Sequence, residues 1–298
     1  MEKYLIVNAD DFGMCHSANI AVMDLLSKGF ITSSTIMTPC SWAKEAAQWA
    51  GKNPQHAVGV HLTFTSEWGT YRWAPMNEKD TGSLRDKDGF MYHKSSDFED
   101  NADIDEVENE IYTQIERCKK YGLNPSHLDN HMGTLYGIET GRFELLNLIF
   151  DIASEYKLPF RFPSVFLAEQ FDNDMFEINI DKNLIAVIFD KFTKYAADKC
   201  VALPDYLIPG EWNGPQRDSY ENYKEYMFEL YKTFPDGVTE TYIHPAKESD
   251  ELKAITGSWE KRVWEYKLFS DTQFQQHIKD CKIQLINYRD LAKMRNYN

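Results

Sequence analysis

Three short runs of the chain bring together residue types that can hold a cation and move a proton. Asp10 and Asp11 adjoin within Asn8-Ala9-Asp10-Asp11-Phe12-Gly13, His61 sits in Gly59-Val60-His61-Leu62, and His127, Asp129 and His131 alternate in His127-Leu128-Asp129-Asn130-His131. A fourth run ends in His244-Pro245. Imidazoles with one carboxylate and open coordination positions are the ligand set of a catalytic divalent cation. On a strand, side chains alternate with period two, so His127, Asp129 and His131 share one face. Asp10 and Asp11, at a strand end, point in different directions, so that one can ligate while the other accepts a proton from water. Each feature alone has a plainer reading. The aspartates can cap a helix near Ser17 or satisfy turn amides, and a lone His61 or His244 can be a hydrogen-bonded core residue. Four of the eight histidines at one end of one fold are harder to explain by packing, because every buried polar group needs a partner.

The elements that must position these residues alternate along the chain. Apolar, β-prone runs at 4–9, 32–37, 57–64, 126–131, 160–162, 201–206, 238–244 and 283–286 are separated by runs with helical apolar spacing at 18–28, 42–50, 104–121, 143–156, 184–199, 220–234 and 259–269. The pattern predicts parallel β-α-β units and, at about eight repeats, a TIM-like (β/α) barrel of the α/β class. A doubly wound open sheet is the structural alternative. Barrel enzymes carry their chemistry at the carboxyl ends of the strands. Here those ends hold the runs above, with Arg161 in the fifth strand and His244 after the seventh.

One catalytic domain over 1–298 is expected, with irregular insertions near 65–103 and 164–182 that either shape the site or lie plainly on the surface. Trp68, Trp73 and Trp212 fall in such stretches and can stack on pyranose rings or simply pack the loops down. Arg161 and Trp212 are the candidate substrate contacts.

Composition narrows the partners. Lys and Arg number 32 against 47 Asp and Glu, a formal net charge of -15, which repels phosphate backbones and anionic lipid. Neither nucleic acid nor membrane is expected as a partner, and a homodimer is left open. No run is long enough to span a bilayer, and the first apolar run is too short for a signal-peptide core, so a cytoplasmic protein is expected. The five cysteines are scattered and never form CxxC, which predicts buried free thiols rather than disulfides or a thiolate zinc site.

At 8–13, 59–62 and 127–131, with His244-Pro245 late in the chain, the sequence resembles the YdjC-like (ChbG-type) carbohydrate deacetylase family over nearly its full length. The resemblance implies a distorted or incomplete barrel that uses one divalent metal to hydrolyse N-acetyl groups on chitin-derived or related sugars. Carried onto this sequence, it implies that Asp11, His61 and His131 hold the metal, Asp10 is the general base and His244 the general acid. His127 and Asp129 would be further ligands or their supports. Zinc, magnesium and cobalt all suit such donors. Met132-Gly133-Thr134 stands where many shorter relatives carry further histidines. The rival readings are a metal-dependent phosphoesterase, which usually needs two metals, and a non-catalytic carbohydrate-binding protein, which has no use for a spare carboxylate.

Overall fold

The computed structural model describes residues 2–165, 167 and 182–295. Its centre is a parallel sheet ordered β4 (Leu128–Asn130), β3 (Ala57–Leu62), β2 (Ser33–Ile36), β1 (Lys3–Phe12), β6 (Gly237–Ile243), β5 (Tyr206–Leu207). The other edge of β1 is shared, since Asn8, Ala9 and Phe12 pair with β2 while Lys3 to Leu5 pair with β7 (Ile283–Leu285). Backbone bonds continue past β4. Arg161 N–H donates to Leu128 O at 3.1 Å, Phe160 N–H to Ala202 O at 3.1 Å and Asp205 N–H to Val238 O at 2.8 Å. The sheet therefore curls back towards β6 as a distorted TIM-like barrel, dense on the β1 to β4 side and thinly bonded on the other. The runs expected as strands at 160–162 and 201–206 contribute mainly these single links, with Phe160 in one bridge to Leu128 and only Tyr206 in β5.

Helices α1 (His16–Lys28), α2 (Ala43–Lys52), α4 (Ile104–Lys120), α5 (Glu144–Glu155), α6 (Lys182–Asp198), α7 (Tyr220–Lys232) and α9 (Trp259–Phe269) connect the strands. Their ends follow from local chemistry. Gly29 takes a left-handed φ of 68° and returns its N–H to Leu25 and Leu26, while the Asp103 side chain accepts from the first amides of α4. Short helices α3 (Ser95–Asn101), α8 (Asp250–Ile255), α10 (Thr272–Asp280) and α11 (Tyr288–Met294) were not legible as periodic runs. Three of them, α3, α8 and α11, span under two helical turns, too few to establish a period.

The two faces of β1 explain how the barrel is filled. Leu5, Val7 and Ala9 join the main apolar core beneath the helices. Ile6 turns inward to meet Val238, Ala202, Tyr288 and Leu291, so that α11 closes the amino-terminal end of the barrel. Above that apolar floor the interior becomes polar, with Asn8, Glu240, His127, Arg161, Asp129 and Asp10 all buried. Gly59 makes room for this layer, because a Cβ there would lie 2.4 Å from His127 O.

The 65–103 stretch is ordered by its own bonds: Thr65 bridges to Tyr92, the Trp73 indole donates to Thr65 O at 2.9 Å, and Arg72 pairs with Asp86 at 2.9 Å. The second expected insertion, 164–182, lies almost wholly outside the described residues. Cys15, Cys40 and Cys118 are buried, Cys281 is half-buried, and Cys200 is exposed, against the expectation of burial; all five are free. No described helix is long and apolar enough to cross a membrane.

Candidate metal centre

A bulge in β1 builds the site. Ala9 pairs with Ser34 and Phe12 with Ile36, so β1 carries one residue more than β2 between these pairs, and Asp11 takes a φ of 61°. Strict alternation would send Asp10 and Asp11 to opposite faces. The extra residue instead turns both carboxylates towards the ring of His61, each within 4.8 Å in a group that could hold a cation. Neither caps α1, whose N-cap Cys15 makes no side-chain cap bond.

One such group is Asp11, His61 and His131. His61 Nε2 and His131 Nδ1 each lie 3.5 Å from Asp11 Oδ1 and 3.3 Å from one another. Asp11 Oδ1 is buried and accepts no hydrogen bond from the described residues. Two imidazole nitrogens and a partnerless carboxylate oxygen fit a divalent cation in both chemistry and spacing. The outer nitrogens are held as well: His61 Nδ1 is 2.7 Å from Asp129 Oδ1, and His131 Nε2 is 3.0 Å from Glu67 Oε2. The far oxygen of Asp11 accepts from Arg262 at 2.7 Å. Burial alone would raise the Asp11 carboxyl, yet Arg262 and the histidines hold it well below the usual range. Burial likewise opposes charge on His131, but Glu67 and Asp11 overcome it and lift the imidazole to about 10.

The second group, Asp10, His61 and Asp129, already surrounds a cation of the protein's own. Arg161 donates twice to Asp10 at 2.7 Å, reaches Asp129 Oδ2 at 2.9 Å and Glu240 Oε1 at 2.8 Å, and lies over the Tyr242 ring. Burial would raise Asp10, and Arg161 reverses the effect, lowering it to about 2. The guanidinium is thus committed to three carboxylates beneath the site and does not reach out as a substrate contact. Tyr288 of α11 hydrogen-bonds the other oxygen of Glu240, whose carboxyl is pushed up to about 7 by burial.

His127 occupies a deeper layer. Its nitrogens pair with Ser126 Oγ at 2.9 Å and Asn8 Oδ1 at 3.2 Å, and its ring stacks on Tyr288 at 3.8 Å. It belongs to neither candidate group, so the shared strand face does not carry it to the ligands. Asp129 meets the outer nitrogen of His61, as a support does. His244 follows Ile243, which pairs with Ala9, and so comes alongside Asp10. Burial drives its imidazole down to about 3, with Arg262 adding to the effect against Asp11. Trp212 packs on Tyr223 and Trp264 with Lys261 over its ring, whereas Trp68 lies beneath the Arg262 guanidinium and Trp73 edges His131 at 6.2 Å.

Glu67 and Arg262 were missed in the sequence. Glu67 lies in a stretch without periodicity and Arg262 in the middle of a helix, and neither carries a local motif. Only the tertiary fold brings them to the candidate group of Asp11, His61 and His131.

The sequence profile described as YdjC-like protein matches residues 4–280. A carbohydrate deacetylase of Thermoanaerobacter pseudethanolicus is 26% identical over 287 residues, covering 96% of this chain and 98% of that protein. One from Brevibacillus brevis is 26% identical over 288 residues, covering 97% and 99%. The crystal structure of an Enterococcus faecalis V583 protein assigned to cellobiose-phosphate cleavage superimposes with a TM-score of 0.74 at 25% identity, covering 98% of this chain and 99% of the other.

Proposed function

The chain belongs to the YdjC-like protein family, and from that premise we propose that it is a metal-dependent carbohydrate deacetylase acting on N-acetylated amino sugars or chito-oligosaccharides. The observation that carries the reading is the convergence of Asp11 Oδ1, His61 Nε2 and His131 Nδ1 with a second, separately held carboxylate, Asp10, beside them. A sugar-binding protein without chemistry would need no such carboxylate.

An amide resists hydrolysis because its carbonyl is a weak electrophile and its amine a poor leaving group. Asp11, His61 and His131 would hold a divalent cation, which would supply positive charge to polarise the acetyl carbonyl and acidify a water. Asp10, kept ionised at neutral pH by Arg161, takes the water proton; its low value makes it a weak base in return for being always available. The water oxygen bonds to the carbonyl carbon, the C–N bond breaks, and the amine nitrogen receives a proton through His244. Because His244 starts neutral, the proton it delivers is the one Asp10 took from the water, handed on before the C–N bond breaks, so that both groups end the cycle as they began. Trp68 is the aromatic face for the sugar, with Trp212 as a second contact.

One ion is proposed, in a single catalytic unit acting in the cytoplasm on a neutral sugar. Zinc or cobalt suits the two imidazoles, and Asp11 with water also admits magnesium. Arg161 fills the position a second cation would need, which counts against a two-metal phosphoesterase. The test is acetate release from N-acetylglucosamine, chito-oligosaccharides and phosphorylated disaccharides, run with each metal beside a phosphoester panel. Acetate release restored by metal supports the reading; phosphate release without acetate refutes it.

A further inference from the structure

We propose that Glu67 is the positioning residue of the metal centre: by accepting the Nε2–H of His131 it fixes the ring so that Nδ1 faces the cation. The proposal rests on the metal-centre reading above and extends it into the 65–103 stretch. His131 offers one nitrogen to Asp11 and His61 and the other to Glu67 Oε2 at 3.0 Å. His61 repeats the arrangement with Asp129 on its own outer nitrogen at 2.7 Å. Each imidazole ligand therefore stands between the cation position and a carboxylate. A carboxylate on the outer nitrogen settles which nitrogen carries the proton, locks the ring rotation and raises the basicity of the ligating nitrogen.

Asp129 does this from a strand, and Glu67 does it from a loop that is itself tied down. Ser66 N–H donates to Tyr92 O at 2.7 Å, and Ser66 Oγ accepts from Trp73 N–H and the Arg72 Nε, both at 3.1 Å. His93 Nδ1 meets Glu67 O at 3.2 Å. Trp73 closes the remaining side by setting its indole edge against the His131 ring. β4 ends at Asn130 and the chain turns away at once through Met132 and Gly133 with φ of 56° and 68°, and Thr134 Oγ1, donating to His131 O at 3.1 Å, holds the backbone of His131 rather than its ring. The insertion thus supplies the restraint that the strand does not.

The test is zinc affinity of the full chain, stripped of metal and measured by chelator competition. Glu67→Ala and Glu67→Asp, which remove or withdraw the acceptor, are expected to bind zinc about 10- to 100-fold more weakly. Glu67→Gln keeps an acceptor oxygen at the same reach and is expected to recover most of that loss. A Glu67→Asp or Glu67→Ala protein that binds as tightly as the wild type overturns the proposal. So does a Glu67→Gln protein as weak as Glu67→Asp, since charge rather than position would then be what matters. Where Glu67→Ala fails to fold, the Asp and Gln variants carry the comparison. His61→Ala separates the two levels: if it loses zinc while Glu67→Asp does not, only the role of Glu67 falls, and if it keeps zinc, the metal centre falls and takes this proposal with it.

Discussion

Replacing Arg161 by Met should reveal how much of the fold's stability lies in its buried charge. The guanidinium is the shared partner of Asp10, Asp129 and Glu240, all at 3% exposure or less. An Asp10 carboxyl at about 2 rather than 3.8 is worth about 2 kcal/mol at roughly 1.36 kcal/mol per tenfold. Because the folded value lies below the unfolded one, that contribution is present in full above about 3.8 and disappears as pH falls through about 2. The other two carboxylates also lose their cation, so the whole deficit should match that of a broken buried pair, about 3–5 kcal/mol at pH 7.5. Glu240 acts in the opposite sense. Its value of about 7 means that it is already neutral well below that pH, so its share of the deficit should vanish by about pH 5. Urea denaturation of metal-stripped wild type and Arg161→Met at pH 7.5 and pH 5 measures both effects. A deficit under about 1 kcal/mol at pH 7.5, or one that grows on acidification, refutes the reasoning.

Three further outcomes are expected. Asp10→Asn should retain its metal by elemental analysis while turnover falls by about 10²-fold or more; unchanged turnover removes Asp10 as the base. His131, charged below about 10 without metal, must give up its Nδ1 proton to ligate, so zinc affinity should rise by about tenfold per pH unit between pH 6 and 8. Calorimetry in buffers of different ionisation heat should then count close to one proton released, and none released would contradict a His131 that is charged before the metal binds. Trp68→Ala should raise KM for the sugar with kcat nearly kept, whereas an unchanged KM would make its ring mere packing for Arg262.

The fold was legible where periodicity was long. The strands through 4–9 and 57–64 and the helices through 104–121 and 259–269 announce themselves by apolar spacing, and their alternation is enough to predict a parallel barrel. Runs at 160–162 and 201–206 looked alike in sequence but form single bonds at the thin side of the barrel, because pairing depends on what lies across from them. The group that could hold a cation was legible for a related reason: motif and strand end coincide at Asp11, His61 and His131. What surrounds them was not. Period-two reasoning grouped His127 with His131, yet the ring of His127 is drawn down between Asn8 and Tyr288. Arg161, in the fifth strand, was expected as a substrate contact, and only the interior carboxylates of β1, β4 and β6 reveal where its charge is needed.

The extra residue in β1 also sets what changes in length this chain can absorb. Removing one residue between Ala9 and Phe12 would restore plain alternation and swing either the proposed ligand or the proposed base out among the helices, ending activity while leaving most of the apolar core intact. Losing a residue around Lys79, in the exposed run 78–80, should be borne with little harm. Length variation among functional versions of this barrel is therefore expected to spare the first strand and to collect in the loops above it.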